Sequence, residues 1–321
     1  MFQFPDKMLR VFRNEAHQQS FEENGFVILP FYDEAEIAEL TALYHALHPK
    51  DEAGFFPSTF SKDKNYRHEA DSKIRQIASR SIDAYCQDIK VVCGSFIVKS
   101  PGPDSGMCVH QDMSLVDESK YTGINIWVPL VDLTIQNGAI FVLPKSHRIM
   151  PTYRGSSIPE FFAPVMDDII DYLQPVVVKA GQAVIFDQSI IHYSPPNFSD
   201  NIRIVTNIYF THQSTEYRTY FWDKEKMENK IEVFAQADDF MTNFEQFGEN
   251  IRARPTVGQS LGFVDYTFPQ IDKTFLDTHF ERTKAREIIA KAAHQKVEAA
   301  EDKTNTATSV SFLDKIKNWF N

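Results

Sequence analysis

The run GINIWVPLVD, residues 123–132, alternates with period two: Ile124, Ile126, Val128 and Leu130 fall on one side, Asn125 and Trp127 on the other. Successive side chains of an extended strand point to opposite faces, so this run reads as a strand with one apolar and one mixed face. NIRIVTNIYF (201–210) repeats the pattern, with Ile202, Ile204, Thr206 and Ile208 opposed to Arg203, Val205 and Asn207. Around these two lie further short β-type runs: VVCGSFIVKS (91–100), MCVHQDMSL (107–115), GAIFVLP (138–144) and QPVVVKAGQAVIF (174–186). Pro, Gly and Asn punctuate them, as in an antiparallel sandwich or jelly roll.

Outward from this block the pattern turns helical. Residues 14–24, 33–48, 71–86 and about 277–300 read as helices, the second with Asp33 as its N-cap and Ile37, Leu40, Tyr44 and Leu47 on one face. Gly25 ends the first helix, and FVIL (26–29) is a short strand. The helices cluster before and after the strands rather than alternating with them, which argues against a doubly wound α/β fold. Residues 51–68 read as a polar-aromatic loop, and 223–250 as a mixed, acidic stretch with helical pieces covering the sheet. The expected organisation is a single domain over 1–300, its β core at about 91–211 with helices on both sides. Residues 301–321 then form a polar linker and a short amphipathic end with Phe312, Leu313, Ile316, Trp319 and Phe320 on one side, read as docking on its own domain or on a second copy.

Composition narrows the function classes. The 321 residues, 43% hydrophobic with 27 Phe, are enough for a sizeable core. A net charge of −11 argues against wholesale binding to nucleic acid or anionic membrane, which needs a basic face. Three cysteines (Cys86, Cys93 and Cys108) form neither a disulfide framework nor a zinc set. No apolar run approaches the ~18 residues of a membrane span, and the first residues lack a signal-type apolar region, so a reducing, cytoplasmic setting is expected. Oligomeric state is not indicated.

The sharpest chemical feature is His110-Gln111-Asp112. On a strand, residues i and i+2 project from the same face, roughly 7 Å apart, and their side chains can converge on one ion. An imidazole and a carboxylate suit a borderline divalent metal, and a second histidine would complete a facial triad with three open positions. His-x-Asp alone arises by chance in many proteins. His192, after the strand-like QAVIFDQSII (182–191), and Arg203 on the next strand strengthen the reading. Arginine supplies a permanently charged planar fork for a carboxylate.

The order His110-Gln111-Asp112, then NGAIFVLPKSH (137–147), then AGQAVIFDQSIIHYSPPNFSDNIR (180–203) resembles the phytanoyl-CoA dioxygenase family, as does the opening FEENGFVILPFYDEAEI (21–37). The resemblance covers roughly 21–211. One departure is Lys145, where a Gly is common in the corresponding turn. The resemblance implies a mainly β fold with flanking helices, a double-stranded β-helix of the jelly-roll, cupin-like kind. It also implies Fe(II) held by His110, Asp112 and His192, with 2-oxoglutarate as co-substrate and O2 as oxidant. Arg203, eleven positions after His192, would grip the 2-oxoglutarate, and Ser194 would touch it. The implied reaction is hydroxylation of an unactivated C–H of a small molecule, natural-product or amino-acid in type, with release of succinate and CO2. Related halogenases carry a small residue in place of Asp112, so its presence favours hydroxylation or another oxidation and leaves desaturation or ring formation open.

Weaker candidates sit around this set. Lys99 occupies a position where the family often has Lys and is a second candidate for 2-oxoglutarate, the alternative being a solvated strand end. Asn125 would reach 2-oxoglutarate and Trp127 would wall the substrate pocket if their shared face lines the interior. The loop 54–68, basic at its end through Lys62, Lys64, Arg67 and His68, is a candidate lid, with Arg67 facing an anionic substrate. His147 is read as structural and Cys108 as apolar filler. Two other classes compete: a catalytically silent jelly-roll binding or scaffold protein, which has no need of the triad plus Arg203, and a zinc-dependent hydrolase, which leaves Arg203 unexplained.

Overall fold

The alternating runs pair into stacked sheets in a computed structural model that describes residues 2–6, 8–48, 53–243 and 250–303. Three helices cover one face. The first, α1 (Glu15–Asn24), is opened by Asn14, whose side chain accepts from the amides of Ala16 and His17. It is closed by Gly25 at φ 83°, a left-handed conformation that a residue without Cβ adopts at least cost. Strand β1 (Phe26–Pro30) leads into α2 (Glu34–Leu47), where Asp33 and Glu36 form a reciprocal capping box. Strand β2 (Phe55–Pro57) then precedes α3 (Lys64–Tyr85), capped by Asp63 on the amides of Asn65 and Tyr66. This corrects the expected loop over 51–68. Its described part holds a strand and the first helical turn, because Asp63 starts the helix at Lys64 rather than at 71.

The β block follows in order: β3 (Ile89–Lys99), β4 (Met107–His110), β5 (Gly123–Pro129) and β6 (Ile140–Val142). After the one-turn α4 (Met166–Ile169) come β7 (Gln174–Val176), β8 (Gln182–Asp187), β9 (His192–Ser194) and β10 (Arg203–His212). One sheet runs β1-β8-β5-β10-β3-β2 and a second runs β4-β9-β6-β7, with antiparallel pairing throughout. The fold is the expected jelly roll with helices outside it.

Strand alternation decides which residues reach which layer. Ile124, Ile126 and Val128 of β5 and Ile204 and Ile208 of β10 pack beneath the helices against Phe21, Leu40, Tyr44 and Ile74. Each such buried aliphatic contributes about 1.5–3 kcal/mol. Trp127, Val184, Phe186 and Val205 face inward, toward Ile140 and Val142 of the second sheet. Every residue of β5 is buried, so its polar Asn125 faces the interior rather than solvent. Helix α3 lies so close to β3 that a Cβ on Gly94 would fall 2.9 Å from Ile74 Cγ2, and the Gly94 amide donates to the buried Asp71 carboxylate at 2.6 Å.

Beyond β10 the expected helical cover over 223–250 is, in its described part, turns, one strand and a single helical turn. A third sheet, β11-β12-β13, is built from β11 (Tyr217–Phe221), β12 (Lys230–Gln236) and β13 (Gln259–Asp265), with one helical turn, α5 (Phe240–Asn243), between the last two. It joins the loop that leaves β4: the Arg218 amide donates to Leu115 O at 3.0 Å and the Tyr220 hydroxyl to Val116 O at 2.9 Å. The helix expected over 277–300 is two helices, α6 (Lys273–His279) and α7 (Ala285–Lys303). They part where Thr283 donates its amide to Asp171 O and its hydroxyl to Leu173 O at 2.7 Å. The rest of the linker and the amphipathic end, 304–321, lie outside the described residues. Among the described residues no helix is long and apolar enough to cross a membrane.

Candidate metal centre and its cavity

Strand β4 ends at His110 and β9 begins at His192, and the two are directly paired across the second sheet. Their rings lie 4.1 Å apart between centroids. Asp112 sits just past the end of β4, where its amide donates to Gln188 O at 3.0 Å. Cross-strand pairing and this turn, rather than two positions of one strand, bring the three side chains together. Asp112 Oδ1 is 3.6 Å from His110 Nε2 and 4.0 Å from His192 Nε2, and one ligand atom from each residue lies within 4.8 Å of the others.

Each imidazole is oriented from behind. His110 Nδ1 is 2.8 Å from Cys108 O and His192 Nδ1 is 3.0 Å from Ile190 O, so the Nδ1–H donates and the Nε2 lone pair is free for the common point. Burial, and then the charge of His110, push the His192 imidazole down to about 4, so the neutral, ligating form prevails. Burial alone would raise the Asp112 carboxyl, but His110 and His192 outweigh it and hold it below its ordinary range. Burial alone would lower the His110 imidazole, but Asp112 outweighs it and raises it above its ordinary range. Two imidazoles and one carboxylate converging on a point are the donor set of a borderline divalent metal, and they fit iron(II).

A cavity of about 360 Å³ borders the triad and is lined also by Arg203, Ser194 and Trp127. Arg203 is 1% exposed; its Nη1 donates to Gly138 O at 3.0 Å and its Nε has no partner among the described residues. Its guanidinium lies 5.3 Å from the Trp127 ring. With no carboxylate paired to it among the described residues, burial pushes the Arg203 guanidinium down to about 9. An uncompensated buried cation is costly, and an anionic ligand entering the cavity would offset it.

The other sequence candidates fall in different places. Ser194 lines the cavity, with its hydroxyl donating to Gly138 O at 3.0 Å. Asn125 also lines it but spends its amide on Asp112, Nδ2 to Oδ2 at 2.7 Å. Lys99 is fully buried beside Arg203 in the β3–β10 register and is not part of the lining; its ammonium donates to Ser194 O at 2.8 Å and Pro195 O at 2.5 Å. Arg67 points away from the cavity, tying α3 to Thr242 O at 2.9 Å and to Ser61 O. The 54–68 segment does wall the cavity, but through Phe55, Pro57 and Phe60, not through its basic end. His147 packs against Gly25 with Nε2 3.1 Å from Glu22 O, and Cys108 is exposed.

Several lining residues carry no motif. Asn207 shares strand parity with Arg203, a signal the sequence does hold, and donates to Asn125 Oδ1 at 3.0 Å. Arg154, Glu160, Met241 and Ile251 have no such signal. Arg154 holds Asp112 O with its Nε at 2.8 Å and clamps buried Glu118 with both Nη atoms, at 2.7 and 2.5 Å.

A sequence model of the phytanoyl-CoA dioxygenase (PhyH) family matches residues 21–205. Among curated proteins, "Phytanoyl-CoA dioxygenase" of Arabidopsis thaliana is 26% identical over 186 residues, covering 57% of this chain and 61% of that protein. "Phytanoyl-CoA dioxygenase domain-containing protein 1" of Danio rerio is 30% identical over 138 residues, covering 40% and 46%. The aligned part thus spans about half the length of such relatives, 44% in "Phytanoyl-CoA dioxygenase domain-containing protein 1 homolog" of Dictyostelium discoideum. Among solved structures, the non-heme alpha ketoglutarate dependent carbocyclase SnoK from nogalamycin biosynthesis superposes with TM-score 0.47 at 17% identity, over 64% of this chain and 86% of its own. EvdO2 from Micromonospora carbonacea var. aurantiaca, complexed with 2-oxoglutarate, gives TM-score 0.44 at 20% identity, over 64% and 94%.

Proposed function

Because the chain belongs to the phytanoyl-CoA dioxygenase family, we propose that it is a non-haem iron(II), 2-oxoglutarate-dependent dioxygenase that hydroxylates an unactivated C–H bond of a small molecule. The observation that carries this reading is that the triad and the uncompensated Arg203 border one cavity. When bound, ferrous iron with 2-oxoglutarate and O2 supplies the oxidising chemistry, coupling decarboxylation to succinate and CO2 to insertion of oxygen into the substrate.

The chain's own part is positioning. His110 and His192 offer Nε2 atoms whose rings are held by backbone carbonyls, and Asp112 offers Oδ1 while Asn125 retains Oδ2. Arg203 takes the distal carboxylate of the co-substrate in a bidentate fork, and Ser194 lies beside it. Trp127, Ile140 and Phe186 wall this end and exclude water, which strengthens every charge interaction inside.

The test has two readouts. Under argon, ferrous iron and 2-oxoglutarate added to the wild-type protein give a metal-to-ligand charge-transfer absorption, which is lost in His110→Ala and requires much more 2-oxoglutarate in Arg203→Ala. Under air the same mixture yields succinate in an iron-dependent manner. A protein that gives neither the absorption nor succinate is not such an oxygenase.

A further inference from the structure

One charged group on the cavity wall is used by neither the triad nor Arg203. Glu160, in the segment between β6 and α4, lines the cavity on the side of His110, facing the backbone amide of Gln111. No guanidinium or ammonium among the described residues comes within ion-pair distance of its carboxylate. Arg154, the nearest cation, is committed to Glu118 through two hydrogen bonds. The wider cluster has the same imbalance: Arg148 and Arg154, two guanidiniums, face the four carboxylates of Glu22, Glu118, Asp187 and Glu160. Asp187 is deep and takes the amide and hydroxyl of Ser189 at 2.8 and 2.6 Å, and Glu118 is clamped by Arg154. Of these carboxylates Glu160 is the one that lines the cavity, and it has no ion-pair partner among the described residues.

The charge count of the loaded site sharpens this. The ferrous ion and Arg203 would be balanced by Asp112 and the dianionic 2-oxo acid; Lys99 lies behind the wall on the Ser194 and Pro195 carbonyls, so among the lining groups Glu160 keeps its charge facing a substrate. Phe60, Met113, Leu115, Met241 and Ile251 give the same cavity an apolar share of its lining. A carboxylate beside such a wall, shielded from bulk water, selects for a cation and against an anion by more than a surface charge would.

We propose that Glu160 reads the substrate, and that the substrate is an amphipathic amine whose protonated nitrogen pairs with this carboxylate while its apolar body lies on Phe60, Met113 and Leu115. The inference rests on the oxygenase reading above and adds a substrate class to it. Because Glu160 and His110 line the same cavity, the nitrogen would sit near the metal site and the oxidised carbon near it along the substrate chain.

Octylamine, 1-octanol and octanoate, titrated calorimetrically into protein loaded with ferrous iron and 2-oxoglutarate under argon, test this. In the wild type, octylamine binds at least about tenfold more tightly than octanol, the value of one charge-assisted hydrogen bond, and octanoate binds weakest. In Glu160→Gln the amine loses that advantage while octanol affinity is unchanged. The charge-transfer absorption, recorded on the same samples, reports the loaded site independently and persists in the variant. Equal binding of the three probes to the wild type, no binding of the amine, or an amine preference that survives in Glu160→Gln overturns the inference and leaves the oxygenase reading standing. Absence of the absorption in the wild type overturns both. The wild-type ranking alone decides the matter if the variant fails to fold.

Discussion

Asn125 Nδ2 donates to Asp112 Oδ2 at 2.7 Å, and Asn125 Oδ1 accepts from Asn207 Nδ2 at 3.0 Å. A carboxylate is acceptor-only, so this chain fixes the orientation of both amides and reserves Oδ1 for the point the two histidines share. Asn125→Ala should weaken ferrous affinity about 10–100-fold, the usual effect of removing the partner of a metal ligand. Chelator competition measures it, and an affinity equal to wild type would show that Asp112 needs no such support.

Arg203 is the second lever. Arg203→Met keeps most of the buried volume but removes the fork, and 2-oxoglutarate should bind at least about a hundredfold more weakly. Arg203→Lys should not restore it, since an ammonium cannot pair bidentately. Without co-substrate the Met variant should melt no lower than wild type, because an apolar side chain replaces a buried cation that has no counter-ion among the described residues.

His147 gives a pH dependence separate from the metal. Burial pushes its imidazole from 6.5 down to about 4. The folded protein therefore keeps His147 neutral while the unfolded chain takes up a proton. Its contribution is intact above pH 6.5 and is lost as pH falls through the window to about 4, amounting to about 3 kcal/mol in all. Urea unfolding at several pH values in this window should show a steeper loss for wild type than for His147→Gln; parallel slopes would contradict the assignment.

Lys145 is exposed and adopts φ 70°, which explains why glycine suits this turn. Its amide still donates to Asn24 O at 3.0 Å, and Lys145→Gly preserves that bond while removing the Cβ strain. The substitution should raise stability by about 1 kcal/mol in chemical denaturation without altering metal binding.

The jelly roll was legible because its strands have two chemically different faces. Ile124, Ile126 and Val128 lie under the helices and Asn125 and Trp127 line the interior, so β5 shows its period even though both sides are buried. The triad could be read because a histidine two residues before an aspartate and a second histidine ahead of an arginine-bearing strand are local patterns. The third sheet was not. Glu232 of β12 is buried only because Arg254 pairs with it at 2.6 and 2.7 Å and Ser260 donates to it, partners 22 and 28 residues away, so in sequence the strand looks like acidic loop. Arg154 and Glu118, 36 residues apart, are legible only once the chain is folded. The start of α3 was missed for a smaller reason: Asp63 lies among lysines and turn residues that mask a cap.

Met241 and Ile251 reach the cavity from chain that follows the family match, which ends at residue 205. The metal triad and part of the cavity wall are therefore carried on separate stretches of polypeptide. A substitution at Met241 or Ile251 would reshape the cavity while leaving His110, Asp112 and His192 untouched.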